Sequence, residues 1–348
     1  MLITEIAKKA KVSPATVSRA INQPQIVAAD SLARIRSVME EHNYVPAPLN
    51  RRRGPKVRMS EQRRIGVWFV GAKSNNPSLN WFQDQLLHVQ STDTRYRVDL
   101  RVLFSSTPNE LPAGFATEHL DGLVIQGMEP SAGCLAKLRD LPHVWFMTRR
   151  SASFTGDYVE PNNEENGRMA ADYLVQKGHK VAAVISTDPD YSAVSRRVKA
   201  FIERAAELKL QVHTILGKSN PGVSYLELVP LHGESDTLVG TLLNSTPRAT
   251  GLYIPVDHFC GSFFRGLRTA GKQPGRDFEA ILGNYNPVIY HNLDHLPPAI
   301  DINLATLVRK VIDHLMWRIE NPKISGRIGI SVSPTLRLPD PNGRRAAV

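Results

Sequence analysis

The chain has 348 residues, 42% of them apolar, which is enough to build the buried cores of two or three soluble domains. Its formal net charge is +10, and residues 1–64 hold 13 Lys and Arg residues against 5 Asp and Glu residues. Two distant cysteines and the lack of an apolar run of about 18 residues argue against a secreted disulfide-stabilised protein and against a membrane protein. We therefore expect a cytoplasmic protein with an N-terminal polyanion-binding module, although a basic N-terminus can also be a solvated tail.

Residues 3–44 carry three short helical patterns, each with its apolar residues on one face. The faces consist of Ile3, Ile6, Ala7 and Ala10; of Val17, Ala20 and Ile21; and of Leu32, Ile35, Val38 and Met39. Ser13 can cap the second helix, and Pro14 suits its first position. The segment KKAKVS supplies the turn before it. This arrangement predicts a helix-turn-helix.

The second helix of this unit has a polar face that DNA would cover. In a helix-turn-helix, this helix enters the major groove with its first residues at the base edges. We expect Pro14 and Ala15 to contact a thymine methyl group and Arg19 to bind a guanine, while hydroxyl groups bond phosphates or bases. The predicted DNA-binding residues here are Ser13, Pro14, Ala15, Thr16, Ser18, Arg19 and Asn22. The alternative is a small helical bundle whose hydroxyl groups face water.

Residues 45–64, VPAPLNRRRGPKVRMSEQRR, are rich in Pro and Arg and poor in apolar residues, and they predict a linker. Apolar runs of strand length then alternate with helical patterns; the runs include IGVWFV, VDLRVLF, GLVIQ, VWFM, VAAVIS, QVHTILG, GLYIPV and EAILGN. Such alternation predicts an α/β fold of parallel sheets covered by helices. So many strands favour two similar lobes over one open sheet.

Two stretches, ITEIAKKAKVSPATVSRAIN and ARIRSVMEEHNYVP, resemble the N-terminal headpiece of the lactose repressor and galactose repressor (LacI/GalR) family of bacterial transcription regulators. Tyr44 and Pro46 match the family's Tyr-x-Pro. NNEENGRMAADYLVQKGHKVAAVIS, residues 162–186, resembles a segment of the family's body. The resemblance implies an all-α helix-turn-helix headpiece before a two-lobed body like that of the periplasmic sugar-binding proteins, with three crossovers between the lobes.

On this resemblance, residues 1–46 form the DNA-binding headpiece, 47–63 a basic hinge, and 64–340 an effector-binding and dimerisation body. Lobe 1 is expected at about 64–158 and 291–320, and lobe 2 at about 159–290 and 321–340. The resemblance implies a repressor that binds a pseudo-palindromic double-stranded DNA operator as a homodimer. A small, carbohydrate-like effector would control it by closing the two lobes.

The resemblance also implies an effector pocket. Arg197 stands where the family carries an Arg that grips a sugar hydroxyl, and Asp257 stands at the family's pocket edge; a surface ion pair and a helix cap are their alternatives. Two departures weaken the case for a simple sugar, because Val256 replaces an Asn and Tyr285 replaces an Asp. A phenol cannot accept the two hydrogen bonds of a carboxylate. The expected effector-binding residues are Trp81, Phe82, Glu165, Arg197, Asp257, Asn284 and Tyr285, of which the first two are equally typical of a core.

The hinge departs from the family as well. Relatives insert a Leu wedge into the minor groove, and the equivalent position falls near Arg53, with Leu49 one helical turn earlier. Gly54 and Pro55 would end a hinge helix promptly. One hypothesis is that the arginines enter a narrow AT-rich minor groove. The alternatives are that they contact only phosphates or that Leu49 is the wedge. The candidate hinge residues are Leu49, Arg51, Arg52 and Arg53.

No motif in the sequence indicates catalysis. The histidines are scattered without HExxH or Cys spacing, and GxSxG, phosphate-loop and GxGxxG patterns are missing. We therefore expect no enzyme activity, no cofactor and no metal. Two other functions remain open: an architectural or constitutive DNA binder with a vestigial pocket, and a solute-sensing protein without DNA activity.

Overall fold

The computed structural model describes residues 3–42, 44, 62–72, 80–92, 96–147, 156–218 and 232–339. The chain divides into two compact units, Met1–Ser60 and Glu61–Val348. The candidate hinge residues Leu49, Arg51, Arg52 and Arg53 lie outside the described residues, and so do the side chains of Asn22 and Trp81. Within the described ranges, no helix is both long and apolar enough to cross a lipid bilayer.

The first unit contains the three predicted helices. They are α1 (Ile3–Ala10), α2 (Pro14–Asn22) and α3 (Ala29–Glu41), with a short 3-10 turn at Pro24–Ile26. Their common core consists of Ile6, Ala7, Ala10, Val17 and Ile35, and Ala20, Ile21, Val38, Met39 and Tyr44 pack against it. The predicted faces are confirmed in most positions; Ile3 is exposed instead.

The turn between α1 and α2 is a Schellman motif. The amide of Val12 donates to the carbonyl of Ala7 at 3.0 Å, and the amide of Lys11 donates to that of Lys8 at 3.4 Å. Lys11 therefore has a φ of +53°, in the left-handed region that favours glycine. This conformation costs about 1 kcal/mol for a residue with a Cβ atom.

The second unit alternates strands and helices. The strands are β1 (Arg63–Val70), β2 (Val98–Ser105), β3 (Gly122–Gly127), β4 (His143–Phe146), β5 (Asp157–Pro161), β6 (Val181–Ser186), β7 (Gln211–Leu216), β8 (Gly251–Ile254), β9 (Glu279–Leu282), β10 (Ala299–Asp301), β11 (Gly329–Val332) and β12 (Thr335–Arg337). The helices are α4 (Asn80–Thr92), α5 (Ala132–Lys137), α6 (Asn163–Gln176), α7 (Ser192–Glu207), α8 (His232–Leu243), α9 (Cys260–Thr269), α10 (Pro287–Tyr290) and α11 (Leu304–Glu320).

These strands form two sheets, one in each lobe. In the part of the chain that the structure describes, the first sheet has the order β11-β5-β4-β3-β1-β2 and the second has the order β12-β10-β9-β8-β6-β7. The pairs are parallel except for β10 with β12. The predicted fold class, two lobes of parallel sheet flanked by helices after a helical headpiece, is confirmed.

Each sheet is buried on both faces. In the first sheet, Val67 and Phe69 of β1 pack against residues of α4 and α11, whereas Trp68 and Val70 pack on the opposite face. The alternation follows from the two-residue period of a strand. In the second sheet, α8 and α9 contribute to the core on one face, and α6 and α7 to the core on the other.

The lobe boundaries differ from those predicted. β10 pairs with β9 in the second sheet, although residues 291–320 were assigned to lobe 1. β11 pairs with β5 in the first sheet, although residues 321–340 were assigned to lobe 2. The chain thus changes sheets after β5, after β10 and after β11. β10 and β11 are short and were not marked by an apolar run, so pairing with their neighbours decides in which sheet they lie.

Candidate DNA-binding surface and ligand cavity

The helix α2 and its cap present four of the predicted DNA-contacting residues, Ser13, Pro14, Ala15 and Arg19, on the surface of the first unit. The Ser13 hydroxyl accepts a hydrogen bond from the Thr16 amide at 3.1 Å and so caps the helix, as predicted. Pro14, Ala15 and Arg19 are exposed. Val17, between them, is fully buried, because it lies on the opposite face of the helix.

The hydroxyl side chains of Thr16 and Ser18 are less accessible to DNA than the sequence predicts. Thr16 and Ser18 are half-buried. The hydroxyl oxygens of Ser13 and Thr16 lie 2.8 Å apart, so one donates to the other. The surface therefore offers the Arg19 guanidinium, an apolar patch at Pro14 and Ala15, and the first amide groups of a helix. Arg19 can bind a guanine bidentately, and a helix N-terminus can accept a phosphate.

The second unit contains a cavity of about 130 Å³ between its two lobes. It lies where the carboxyl ends of the central strands meet, as ligand sites do in open α/β sheets. The first lobe contributes Phe82, Gln126, Met147, Glu160, Pro161 and Leu304; Ile302 lies at a crossover. The second lobe contributes Asn163, Tyr191, Ser192, Ala193, Arg196, Arg197, Val256, Asp257, His258, Asn284, Asn286 and Ile289.

Arg197 is the best-anchored polar residue of the cavity. It is 4% exposed, and its Nε donates to Oδ1 of Asn163 at 2.8 Å. Its Nη1 donates to the carbonyl oxygens of Pro255 at 2.7 Å and Gly283 at 2.9 Å. Burial lowers the pKa of Arg197. The alternative considered for Arg197, a surface ion pair, does not apply to this buried residue, which ties α7 to the ends of β8 and β9.

Asp257 and Asn284 form the second polar group. The Asn284 Nδ2 atom donates to Asp257 at 3.2 Å, and Asp257 is 6% exposed. Burial raises the pKa of Asp257, although the hydrogen bond from Asn284 opposes the shift. Among the described residues, Asn284 Oδ1 and Asn163 Nδ2 are buried without a hydrogen-bond partner.

The sequence analysis placed two residues in the pocket that lie elsewhere. Glu165 begins α6: its amide donates to Asn162 at 3.0 Å, and its carboxylate accepts from Ser333 at 2.7 Å, where the chain passes between the lobes. Tyr285 packs against Tyr290, and its hydroxyl lies 3.3 Å from Nε2 of His291. Successive residues after a strand point to opposite sides, so Asn284 faces the cavity and Tyr285 faces the core.

Of the remaining predicted pocket residues, Arg197, Asp257 and Asn284 line the cavity together with Phe82. Phe82 is also a core residue, because its ring packs edge-on against Phe69 at 5.5 Å. Phe82 is therefore both a core residue and a residue of the cavity lining. Nothing in the described part of the chain locates the side chain of Trp81.

Several cavity residues were missed by the sequence analysis. Arg196 of α7 donates to both carboxylate oxygens of Glu160 on β5, at 3.0 and 2.5 Å, and so joins the two lobes. The Tyr191 hydroxyl donates to the Met147 carbonyl at 2.7 Å and makes a second bridge. In the sequence, the only sign of these bridges is the adjacent Arg pair in SRRVKAF. The partners of the two residues could not be predicted, because tertiary structure determines which groups form an ion pair.

His258 closes the second-lobe side of the cavity. Its Nε2 lies 2.9 Å from the Thr187 hydroxyl. Burial lowers the pKa of His258 to about 4, so the imidazole is neutral at physiological pH. The cavity lining also contains two guanidinium groups, Arg196 and Arg197, and two carboxyl groups, Glu160 and Asp257.

Comparison with known proteins identifies similar sequences. Residues 2–47 match the family model described as bacterial regulatory proteins, lacI family. The HTH-type transcriptional repressor PurR of Edwardsiella ictaluri (strain 93-146) is 24% identical over 285 residues, 76% of this chain and 76% of that protein. PurR of Aliivibrio fischeri (strain ATCC 700601 / ES114) is 28% identical over 212 residues, 58% of this chain and 59% of that protein. The chain therefore matches less than two thirds of the second relative's length.

Solved structures show the same fold. A transcriptional regulator CelR–cellobiose complex has a TM-score of 0.61 and 17% sequence identity, covering 97% of this chain and 98% of that one. The lac repressor dimer bound to operator and the anti-inducer ONPF has a TM-score of 0.61 and 15% identity, covering 97% of each chain. At these identities the likeness establishes the fold, and the named relatives are transcription regulators.

Proposed function

We propose that this chain is a LacI-family transcription repressor whose operator binding is controlled by a small molecule in the cavity between its lobes. The observation that carries the proposal is the pairing of two separate features in one chain. One is a helix-turn-helix with Arg19 exposed on α2, and the other is a cavity with a buried Arg197.

The DNA-binding half of the proposal rests on the surface of α2. Pro14, Ala15 and Arg19 are exposed next to a capped helix N-terminus, where they can meet base edges and a phosphate together. The relatives PurR and the lac repressor are named as repressors, and the latter is bound to its operator. We propose that this chain also binds as a homodimer, because two copies of one short recognition helix would read a pseudo-palindromic operator.

The regulatory half rests on the position of the cavity. Its lining comes from both lobes, so a ligand there contacts both of them and can favour one lobe arrangement over the other. A ligand with equal affinity for both arrangements would change nothing. A carbohydrate-like effector remains a prediction, supported by the cellobiose named with one structural relative.

The operator-binding proposal is tested by replacing Arg19. The operator is first selected from random DNA by the full-length protein, and binding is then measured by fluorescence anisotropy at one fixed salt concentration. Arg19→Ala should weaken discrimination at one base pair by about 1–3 kcal/mol. Arg36→Ala is the matched control, since Arg36 is exposed on α3 and its loss removes the same charge.

Two results would contradict this half of the proposal. If Arg19→Ala and Arg36→Ala weaken all sequences equally, α2 does not read bases. If the wild type selects no sequence and binds all DNA alike, an architectural DNA binder is the better description.

The selected operator also tests the hinge: Arg53→Leu should change the preference for AT-rich centres if the arginines read groove width.

A further inference from the structure

The chain passes between the two lobes three times, and the three crossovers are bonded to one another. They follow β5, β10 and β11, and they include Asn162, Asn303 and Ser333 respectively. The amide of Asn162 donates to the carbonyl of Val332, directly before Ser333, at 2.8 Å. The first and third crossovers are therefore joined through their backbones.

Ser333 joins the third crossover to both of the others. Its hydroxyl donates at 2.7 Å to the Oε2 atom of Glu165, in the first turn of α6, and Asn162 Nδ2 donates to the same oxygen at 3.0 Å. The main-chain carbonyl of Ser333 accepts a hydrogen bond from Nδ2 of Asn303 at 2.8 Å. One exposed residue thus bonds the first crossover through its side chain and the second through its backbone.

Asn303 uses its side chain in a way that is unusual for the start of a helix. It precedes α11, where an asparagine side chain normally accepts a hydrogen bond from one of the first amide groups, but it makes no such bond. Its Nδ2 atom donates to Ser333 instead, and its Oδ1 atom accepts from the Thr335 hydroxyl of β12 at 3.4 Å. Its φ of +58° lies in the left-handed region, which asparagine tolerates better than most residues. The conformation explains an asparagine or a glycine at this position, and the two side-chain bonds favour asparagine.

These bonds run from one lobe to the other. Glu165 belongs to α6 of the second lobe, whereas Ser333 follows β11 of the first. Asn303 precedes α11, which packs on the first sheet, and its partners lead into β12 of the second. A change in the angle between the lobes alters the backbone angles of the crossovers, because these segments connect the lobes. Such a change has to stretch or break the bonds between them.

We propose that Glu165, Asn303 and Ser333 form a crossover clasp, which makes the three crossovers move as one unit and restrains the angle between the lobes. None of the three residues lines the described cavity, so the clasp acts with or without a ligand there. Its link to DNA rests on the proposed function: if the lobe arrangement controls operator binding, the clasp also sets operator affinity in the absence of a ligand.

Hydrogen exchange of the full-length protein, without DNA or ligand, tests the clasp. Ser333→Ala removes the hydroxyl of an exposed residue and leaves the carbonyl that Asn303 binds. Loss of a hydrogen bond to a charged acceptor should speed the exchange of the Asn162 amide by at least about tenfold. The amides of β1 and β6 should exchange as in the wild type, because local opening leaves the two sheets intact. Small-angle X-ray scattering should show a larger radius of gyration for the variant.

The matched control for this variant is Ser331→Ala. Ser331 is an exposed serine of β11, two residues before Ser333. The control makes the same chemical change and keeps the bond from Ser333 to Glu165, so exchange and scattering should stay as in the wild type.

Asn303→Gly separates the clasp from the backbone conformation. Glycine adopts a φ of +58° without the Cβ penalty, so this variant should fold, but it loses both bonds to the third crossover. If the crossovers move as one unit, the Asn162 amide should exchange at least about threefold faster, although no hydrogen bond among the described residues joins it to Asn303. Unchanged exchange would mean that Asn303 serves only the backbone conformation, and it would overturn the clasp.

The remaining outcomes distinguish the clasp from the proposed function. Equal exchange in Ser333→Ala and Ser331→Ala, or equal scattering from Ser333→Ala and the wild type, refutes the clasp, while selective operator binding by the wild type still supports the proposed function. If exchange and scattering change but affinity for the selected operator does not, the clasp stands and its link to DNA is refuted. If the amides of β1 and β6 also exchange faster in Ser333→Ala, that variant is destabilised throughout, and Asn303→Gly decides.

Discussion

Asp157, at the start of β5, shows how a single buried carboxylate stabilises the first lobe. It accepts hydrogen bonds from the His314 ring at 2.9 Å, the Arg318 Nε at 2.8 Å and the Ile328 amide at 2.9 Å. Burial alone raises its pKa, but these donors outweigh burial and hold the pKa of Asp157 below its usual value. The carboxylate thus joins β5, α11 and the segment before β11.

We predict that Asp157→Asn lowers the stability of the body by about 3–5 kcal/mol at neutral pH, since it removes one partner of a buried ion pair. A depressed pKa stabilises the fold above the ordinary value of about 3.9, and this contribution is lost as the pH falls through the folded-state value. The difference between variant and wild type in the free energy of unfolding should therefore shrink as the pH is lowered below about 3.9. Urea unfolding at neutral pH and at a pH below about 3.9 measures it.

Asp140→Asn is the control for this prediction. Its side chain is 95% exposed and lies 4.0 Å from Arg139, so its loss should change the stability by less than about 0.5 kcal/mol. A loss for Asp157→Asn that is the same at both pH values would show that the ionised carboxylate is not the source of the stability.

At the scale of elements, α6 and α7 pack with their backbones in close approach at Gly167. A Cβ atom there would lie 2.2 Å from the carbonyl oxygen of Arg197 and 2.8 Å from the amide nitrogen of Phe201. Both atoms belong to the backbone of α7 and cannot move independently. The position of the Arg197 guanidinium in the cavity therefore depends on Gly167 of α6 having no side chain.

We predict that Gly167→Ala destabilises the second lobe by about 1–3 kcal/mol, because α7 must shift to admit the methyl group. It should also weaken ligand binding, since Arg197 moves with the helix. Gly240→Ala in α8 makes the same change where no atom lies within 4 Å of the added carbon. That control should raise the stability by about 0.5–1 kcal/mol. Thermal melting and isothermal titration measure both effects, and equal melting shifts would refute the packing argument.

Most elements were predictable from local patterns, and the exceptions share a cause. The strands β1 and β6 are apolar runs that can be recognised in the sequence. The residue that caps α2, Ser13, directly precedes that helix in the sequence. β10, β11 and β12 have three or four residues, and β12 is exposed throughout. Their sequences, AID, GISV and TLR, lack the apolar run that marks the equally short β4, β8 and β9, so only their hydrogen bonds to a neighbouring strand identify them.

At the scale of the whole second unit, α7 bridges the lobes through its first turn. Arg196 bonds Glu160, and Tyr191 bonds the Met147 carbonyl. Glu160 is 7% exposed, so the ion pair with Arg196 is largely shielded from water. These two bridges favour the lobe arrangement seen here.

We predict that Arg196→Ala shifts the ligand-free protein toward a more open arrangement by about 1–3 kcal/mol, because the closed arrangement loses the two hydrogen bonds that Arg196 donates to the buried Glu160. Small-angle X-ray scattering should show a larger radius of gyration for the variant. Arg204→Ala on the same helix is the control, since Arg204 bonds Asp172 and Glu207 within the second lobe. Equal scattering from wild type and Arg196→Ala would mean that the bridge does not hold the lobes.

The sequence by itself determined the helix-turn-helix and the alternation of strands and helices, whereas only its resemblance to a family pointed to Arg197 and Asp257 as pocket residues. Caps, turns and periodicity act between residues that are close along the chain, so they can be recognised without a structure.

The tertiary structure alone decided which side chains meet. It selected Asn284 over Tyr285 for the cavity, because a shift of one residue after β9 reverses the side that a side chain faces. It placed Glu165 at a crossover between the lobes and brought Asn163 into the cavity. It also paired Glu160 with Arg196, 36 residues apart, because the partners of buried polar groups come from whichever elements pack together.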